Sequence, residues 1–126
     1  MKYLLDTHTL LWFLSGDGRL GNRARELVKD SSNERFFSVA SLWEIAIKVD
    51  KLALTKPFNQ LFPEQLEFNG IKILNITVDS LTKLTVLPFH HRDPFDRLII
   101  AQALVEELLI IGKDMVFDAY GVRREW

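Results

Sequence analysis

An α/β domain with a mostly parallel central sheet is the fold class this sequence predicts, and three observations predict it. Short apolar runs such as Tyr3-Leu4-Leu5 and Leu108-Leu109-Ile110-Ile111 lack the polar alternation of a half-exposed strand, as expected when helices cover both faces of a sheet. Segments with helical spacing separate these runs, so strands and helices alternate along the chain. At 126 residues, nearly half of them apolar, the chain fits one domain, 1–126, with enough apolar side chains for a single core.

The elements follow in order. Tyr3 to Leu5 is a buried strand ending at Asp6, and Thr7 caps a helix through Leu14. Ser15-Gly16-Asp17-Gly18 reads as a loop, and a second helix runs from Asn22 to Lys29. Arg35 to Val39 is the second strand. Ser41-Leu42-Trp43-Glu44 has the form of a capping box, placing Glu44 in the first turn of a helix along which Leu42, Ile45, Ala46, Val49 and Leu52 recur at helical spacing. Pro57 and Pro63 each suit a first helical turn, so one or two short helices lie between Pro57 and Phe68 and end at Gly70. Ile71 to Leu74 is the third strand, and Thr77 to Leu84 a short helix. Asp93-Pro94 is a cap followed by proline at the first helical position. The helix it starts, to Glu107, is apolar on nearly every side, which is the pattern of a helix buried in a core or under a partner. Leu108 to Gly112 is the fourth strand, and Val122 to Trp126 a short last one.

Composition narrows the function. The 16 Lys and Arg balance 17 Asp and Glu, so nucleic acid would have to be held by a local basic patch rather than by net charge. There is no cysteine, hence no disulfide framework and no thiolate metal site. The apolar run before Asp6 is too short for a signal peptide, and no run approaches the roughly 18 residues of a membrane span. The expectation is a soluble, cytoplasmic protein.

Ligand sites in open parallel sheets lie at the carboxyl ends of the strands. Asp6 directly follows the first strand, Asp114 lies just past the fourth, and Glu44 opens the helix after the second. Chain direction brings these three to one edge. It does not by itself bring Asp96, which on this reading lies on a helix returning from the far side of the sheet. Several carboxylates together either take up a proton or hold a divalent cation, and the motifs supply no basic partner of comparable charge. All-oxygen donors without cysteine suit Mg²⁺ or Mn²⁺, ions that can activate water for attack on phosphorus.

Each residue also has a purely structural reading: Asp6 as a helix cap, Glu44 as half of a capping box, Asp96 as a complement to the helix dipole, Asp93 as its cap and Asp114 as a turn residue. The functional reading rests on the set. His8, His90 and His91 lack a metal-ligand spacing and are read as structural or surface residues, and Trp12 and Trp43 as core aromatics. Lys48, Lys51, Lys56, Arg92 and Arg97 are the best candidates for phosphate contacts.

Taken together, Leu5-Asp6-Thr7-His8 with Leu11-Trp12, Ser38 through Ile45, His91 through Ala103, and Asp114 to Val122 resemble PIN-domain proteins, and within them the VapC-type toxins of prokaryotic toxin–antitoxin pairs. The resemblance implies a Rossmann-like three-layer sandwich, a Mg²⁺- or Mn²⁺-dependent endoribonuclease activity on RNA, a homodimer, and neutralisation by a small antitoxin protein. It makes Asp6, Glu44, Asp96 and Asp114 the catalytic and metal-binding positions, Asp114 matching the most variable of them, and leaves Asp93 in reserve. Gly112 departs from the pattern: relatives carry Thr or Ser there, so a polar contact to the site is expected to be missing. The alternatives are a catalytically inactive binding module of the same fold and a phosphatase of the haloacid dehalogenase type. The second needs a further Asp two residues after Asp6, where this chain has His8. In this picture the helix from Pro94 and the Pro57–Phe68 segment leave apolar surface, a groove for an antitoxin helix.

Overall fold

Leu4 buries toward one face of the sheet while Tyr3 and Leu5 bury toward the other, the period-2 consequence of strand geometry when both faces are covered. This first strand, β1 (Lys2–Leu5), is central. The computed structural model describes residues 1–126. After β1 come α1 (Thr7–Ser15), α2 (Asn22–Lys29), β2 (Glu34–Ser38), α3 (Val39–Ile47), α4 (Phe58–Leu61), α5 (Glu64–Phe68), β3 (Lys72–Leu74), α6 (Val78–Thr85), α7 (Pro94–Glu106), β4 (Leu109–Ile111), a 3-10 helix (Met115–Tyr120) and β5 (Arg124–Glu125).

All four strand pairings are parallel, in the order β3-β2-β1-β4-β5. The chain therefore builds outward from β1 on one side and then returns to build outward on the other. The crevice between β1 and β4 is the switch point at which open α/β sheets take their ligands. On one face Leu10, Ala24, Val28, Ile45, Leu61 and Leu66 pack against Phe37, Leu109 and Ile111. On the other, α7 packs against Leu4 and Ile110 through Leu98, Ile99, Ile100, Ala101 and Ala103, with Phe117, Tyr120 and Val122 closing the cluster. The result is the three-layer sandwich expected.

Local signals placed most boundaries. Asp93 accepts from the Phe95 and Asp96 N–H groups and Pro94 takes the first helical position, as read from sequence. Thr77 and Ser80 form a reciprocal capping box at α6. Helix α3 ends at Ile47, short of Val49 and Leu52, and two helix starts moved. Asp6, not Thr7, caps α1, its carboxylate accepting the Thr9 N–H at 2.8 Å. Helix α3 starts at Val39 because Ser38, in extended backbone at the end of β2, accepts from the Ala40 N–H. The Ser41–Glu44 capping box does not form, and Glu44 lies in the second helical turn.

The apolar surplus of α7 is core rather than surface. Arg97 through Ala103 are all buried between the sheet and the elements packed on that face. Leu61, Phe62 and Leu66 are buried as well, leaving Phe68 exposed. These segments are therefore not the uncovered surface expected of them. Apart from Phe68, the exposed large apolar side chains lie elsewhere, among them Trp43 and Ile47 on α3, Val78 and Leu81 on α6, and Val86 and Phe89 beyond it. Trp43, 55 % exposed, is not a core aromatic, and Trp12 is only half-buried.

One polar group holds the layers together at the carboxyl edge. Gln102, buried on α7, accepts from the Ser38 hydroxyl and donates to the Asn75 carbonyl at 3.3 Å, tying α7 to the ends of β2 and β3. Replacing Gln102 by Leu removes both interactions and leaves the buried Ser38 hydroxyl without an acceptor for its proton, although Ser38 Oγ still accepts the Ala40 N–H. The expected result is a loss of about 2–4 kcal/mol in urea unfolding, two interactions at ~1–2 kcal/mol each. A loss within experimental error would show that water reaches both partners.

Candidate active site

The switch-point crevice collects acidic side chains from three elements: the end of β1, the second turn of α3 and the first turn of α7. Asp96 reaches this edge for a reason that chain direction does supply. Helix α7 feeds β4 from its amino end, so the helix must begin at the opposite, carboxyl edge. Its 13 residues span about 20 Å, longer than the strand beside it. The expectation that Asp96 lies on the far side is corrected by this geometry.

Asp6 sits where β1 stops. Its N–H donates to the Ile111 carbonyl at 3.1 Å, and the same carbonyl accepts from the Thr9 hydroxyl at 2.9 Å. Burial pushes its carboxyl up from the ordinary range. The hydrogen bonds from Thr9 and the nearby His8 oppose the rise, and the charge of Glu44 adds to it. Glu44 is 7 % exposed. Its Oε1 accepts from the Thr7 hydroxyl at 2.6 Å and its Oε2 from Lys48 Nζ at 2.8 Å, one turn along α3. That hydrogen bond raises the Lys48 ammonium, with further pull from Glu44, Asp93 and Asp96. Asp96 is pushed up to about 6, first by burial and then by the charges of Asp93 and Asp6, against the lowering effect of His91. Asp6 thus feels the charge of Glu44, and Asp96 that of Asp6.

Asp114 stands apart. It is exposed, and its side chain caps the 3-10 helix through the Val116 N–H at 3.0 Å. Two residues before it, Gly112 accounts for the departure seen in sequence. A Cβ built on Gly112 would lie 2.8 Å from Asp6 Oδ2 and 3.2 Å from Phe117 Cε2. The space that a Ser or Thr would fill is occupied by the Asp6 carboxylate itself.

The acids do not lack basic partners, contrary to the sequence expectation. Lys48 pairs with Glu44, and His91 Nε2 lies 2.7 Å from Asp96 Oδ2. The Asp93 N–H approaches His91 Nδ1 at 3.4 Å, which makes Nε2 the donor toward Asp96. Lys48 was read from sequence as a phosphate contact, and His91 as structural. What hid their roles is that Lys48 at i+4 from Glu44 is an ordinary helix-surface spacing, and that His91 precedes the helix it serves. Arg97 also changes role. It is buried, and its guanidinium donates to the carbonyls of Leu87 and Pro88. Lys51, Lys56 and Arg92 remain exposed.

No three His, Asp or Glu side chains form a ready ligand cluster. Donor chemistry nevertheless fits a hard divalent cation: three carboxylates from separate elements, no sulfur, and two of the three held toward protonation by burial and mutual repulsion. On α3, one turn before Glu44, Ser41 Oγ is buried without a hydrogen-bond partner.

The model of the PIN domain family matches residues 3–122, and the chain belongs to that family. A search of curated proteins found no match. Among solved structures, a VapBC complex from Rickettsia felis bound to a promoter DNA fragment aligns with TM-score 0.74 at 17 % identity, covering 99 % of this chain and 98 % of that one. DNA-bound VapBC from Salmonella typhimurium aligns with TM-score 0.70 at 17 % identity, over 99 % and 97 % of the two chains. A toxin–antitoxin complex from Klebsiella pneumoniae aligns with TM-score 0.58 at 21 % identity, over 89 % and 86 %. At these identities the likeness is one of fold. No helix of the chain is long and apolar enough to cross a membrane.

Proposed function

We propose that this protein is a divalent-metal-dependent endoribonuclease acting as the toxin of a toxin–antitoxin pair. The observation that carries the reading is the convergence of Asp6, Glu44 and Asp96 at the β1/β4 switch point, with Asp6 raised by burial and the charge of Glu44, and Asp96 by burial and the charges of Asp93 and Asp6. Bound there, Mg²⁺ or Mn²⁺ supplies Lewis acidity and an activated water for phosphodiester hydrolysis. The three carboxylates would hold it, with Asp114 at the rim. Thr7 fixes the Glu44 carboxylate and Lys48 balances its charge; His91 orients Asp96. The toxin assignment is supported by the fold shared with toxin–antitoxin complexes, together with the sequence motifs. An antitoxin segment has a groove of about 510 Å³ open to it between α1 and residues 51–55, where Leu11, Trp12, Leu14, Leu52, Leu54 and Leu61 line the walls. A homodimer completes the reading.

The test is cleavage of single-stranded RNA and DNA of matched sequence with Mn²⁺ and with chelator. RNA cleavage only with metal is expected. Equal silence in both conditions favours the inactive binding module, and co-purification with the adjacent small open reading frame product tests the antitoxin separately.

Gly112 yields a prediction of its own. Gly112→Ala forces the Asp6 carboxylate to turn away from β4, because 2.8 Å is closer than a Cβ approaches oxygen. Mn²⁺ affinity measured by calorimetry is expected to fall about 10-fold, in the range for disturbed metal-ligand support. Unchanged affinity would mean that the position of Asp6 against β4 does not matter to the metal.

A further inference from the structure

Residues 87–92 form a strap leading into α7, and it is fastened more firmly than a connecting loop needs to be. Arg97, 6 % exposed, donates from Nη1 to the Pro88 carbonyl at 2.8 Å and to the His91 carbonyl at 3.5 Å. Its Nη2 donates to the Leu87 carbonyl at 3.3 Å. The Tyr120 hydroxyl accepts the His91 N–H at 2.8 Å, and the His90 ring packs edge-on against Tyr120. The strap ends at the hydrogen bond between His91 and Asp96.

On this rigid strap Phe89 is 78 % exposed. Its ring lies over the Arg97 guanidinium, 3.9 Å from Cζ to centroid. One face of the ring is thus fixed on a buried cation, and the chain covers little of the rest. His90 and Arg92 beside it are exposed, and the Arg92 guanidinium pairs with no carboxylate. Two residues of chain span at most about 7 Å, so the Phe89 backbone lies within that reach of the backbone of His91, whose ring touches Asp96.

We propose that Phe89 is a stacking platform for an unpaired nucleobase of a single-stranded RNA, with Arg92 meeting the adjoining phosphate. The inference rests on the nuclease reading and names where its substrate docks. Single-stranded nucleic acid is held by aromatic faces on which bases stack and by cations that follow the backbone. A guanidinium under the ring orients it and adds a fixed positive charge beneath the stack. Protein partners also use exposed aromatics. Here the cationic neighbours and the approach to the acidic crevice favour an anionic strand that must pass the carboxylates.

The test uses the Asp6→Asn protein, so that RNA is bound without being cut, and a single-stranded oligoribonucleotide carrying 2-aminopurine. Binding with quenching of the 2-aminopurine is expected. Phe89→Ala, on an exposed side chain that the fold does not need, is expected to lose about 10-fold in affinity and most of the quenching. Phe89→Leu keeps the apolar bulk and is expected to behave like Ala, whereas Phe89→Trp retains both signals. Arg92→Gln is expected to weaken binding and reduce its salt dependence. The inference is overturned if the Asp6→Asn protein does not bind the oligonucleotide. It is equally overturned if Phe89→Ala binds and quenches as its parent does, including the case in which light scattering shows that the variant has instead changed oligomeric state. Failure of the wild type to cleave RNA, with Phe89-dependent binding intact, would remove the nuclease reading and leave the platform.

Discussion

Asp6→Asn is expected to abolish RNA cleavage, by more than about 100-fold, while the protein stays folded. The structural and chemical roles of Asp6 can be separated because Asn is as good a helix cap as Asp. The amide oxygen still accepts the Thr9 N–H that Asp6 accepts at 2.8 Å. Removing the charge also removes a carboxyl that burial disfavours in its ionised form, so the metal-free fold is expected to hold or gain stability. A loss beyond 100-fold exceeds the 10–100-fold typical of residues that merely support a metal site. Glu44→Gln is the companion. Gln keeps the acceptor for the Thr7 hydroxyl and loses the ion pair with Lys48. Because no capping box involves Glu44, a structural role predicts only a small change for it, and the catalytic role a large one. Initial rates on a labelled RNA, with circular dichroism as the fold control, decide both. Wild-type rates in either variant would sink the proposed chemistry.

The second large effect is the pH dependence of stability at Asp96. Its folded carboxyl is raised to about 6, whereas an unfolded Asp titrates near 4. Between these values the folded chain keeps a proton that the unfolded chain has released. Stability from this group is therefore complete below about pH 4, falls as pH rises toward 6, and levels off above it. At about 1.4 kcal/mol per unit, the loss is on the order of 2–3 kcal/mol in chelator. Asp96→Asn is expected to flatten this slope and to raise the melting temperature in chelator at pH 7.5. Mn²⁺ competes with the same proton. Its stabilisation of the wild type is expected to be small at pH 5 and to reach several degrees at pH 7.5, since a ligand at 100 times its Kd contributes about 2.7 kcal/mol. Thermal melts at the two pH values, with Mn²⁺ and with chelator, check all of this. A wild-type midpoint that Mn²⁺ leaves unmoved at pH 7.5 would count against metal binding at this crevice.

Most of the fold was legible from local signals, because those signals act over a few residues. The Asp93-Pro94 start of α7, the short helix after Thr77, the span of α2 and the uninterrupted apolar strands all depend on hydrogen bonds and periodicities within a turn or two. The start of α3 was misread for the same local reason. Ser38 and Ser41 are both good caps in sequence, and only the end of the strand, in extended backbone, selects Ser38.

By itself the sequence determined the parallel α/β class, the apolar character of α7 on nearly all sides and the order of the four acids along the chain. Tertiary structure alone decided what those acids face. The strand order β3-β2-β1-β4-β5 brings Thr7 to Glu44 across 37 residues and sets Gly112 against the Asp6 carboxylate. It also carries the first turn of α7 to the edge where β1 ends, and it assigns Arg97 to the strap rather than to solvent. The physical reason is that desolvation and charge–charge repulsion depend on which groups share a crevice, and chain neighbours do not report that. Burial is what raises Asp6 and Asp96, and burial exists only once the layers have closed over the sheet.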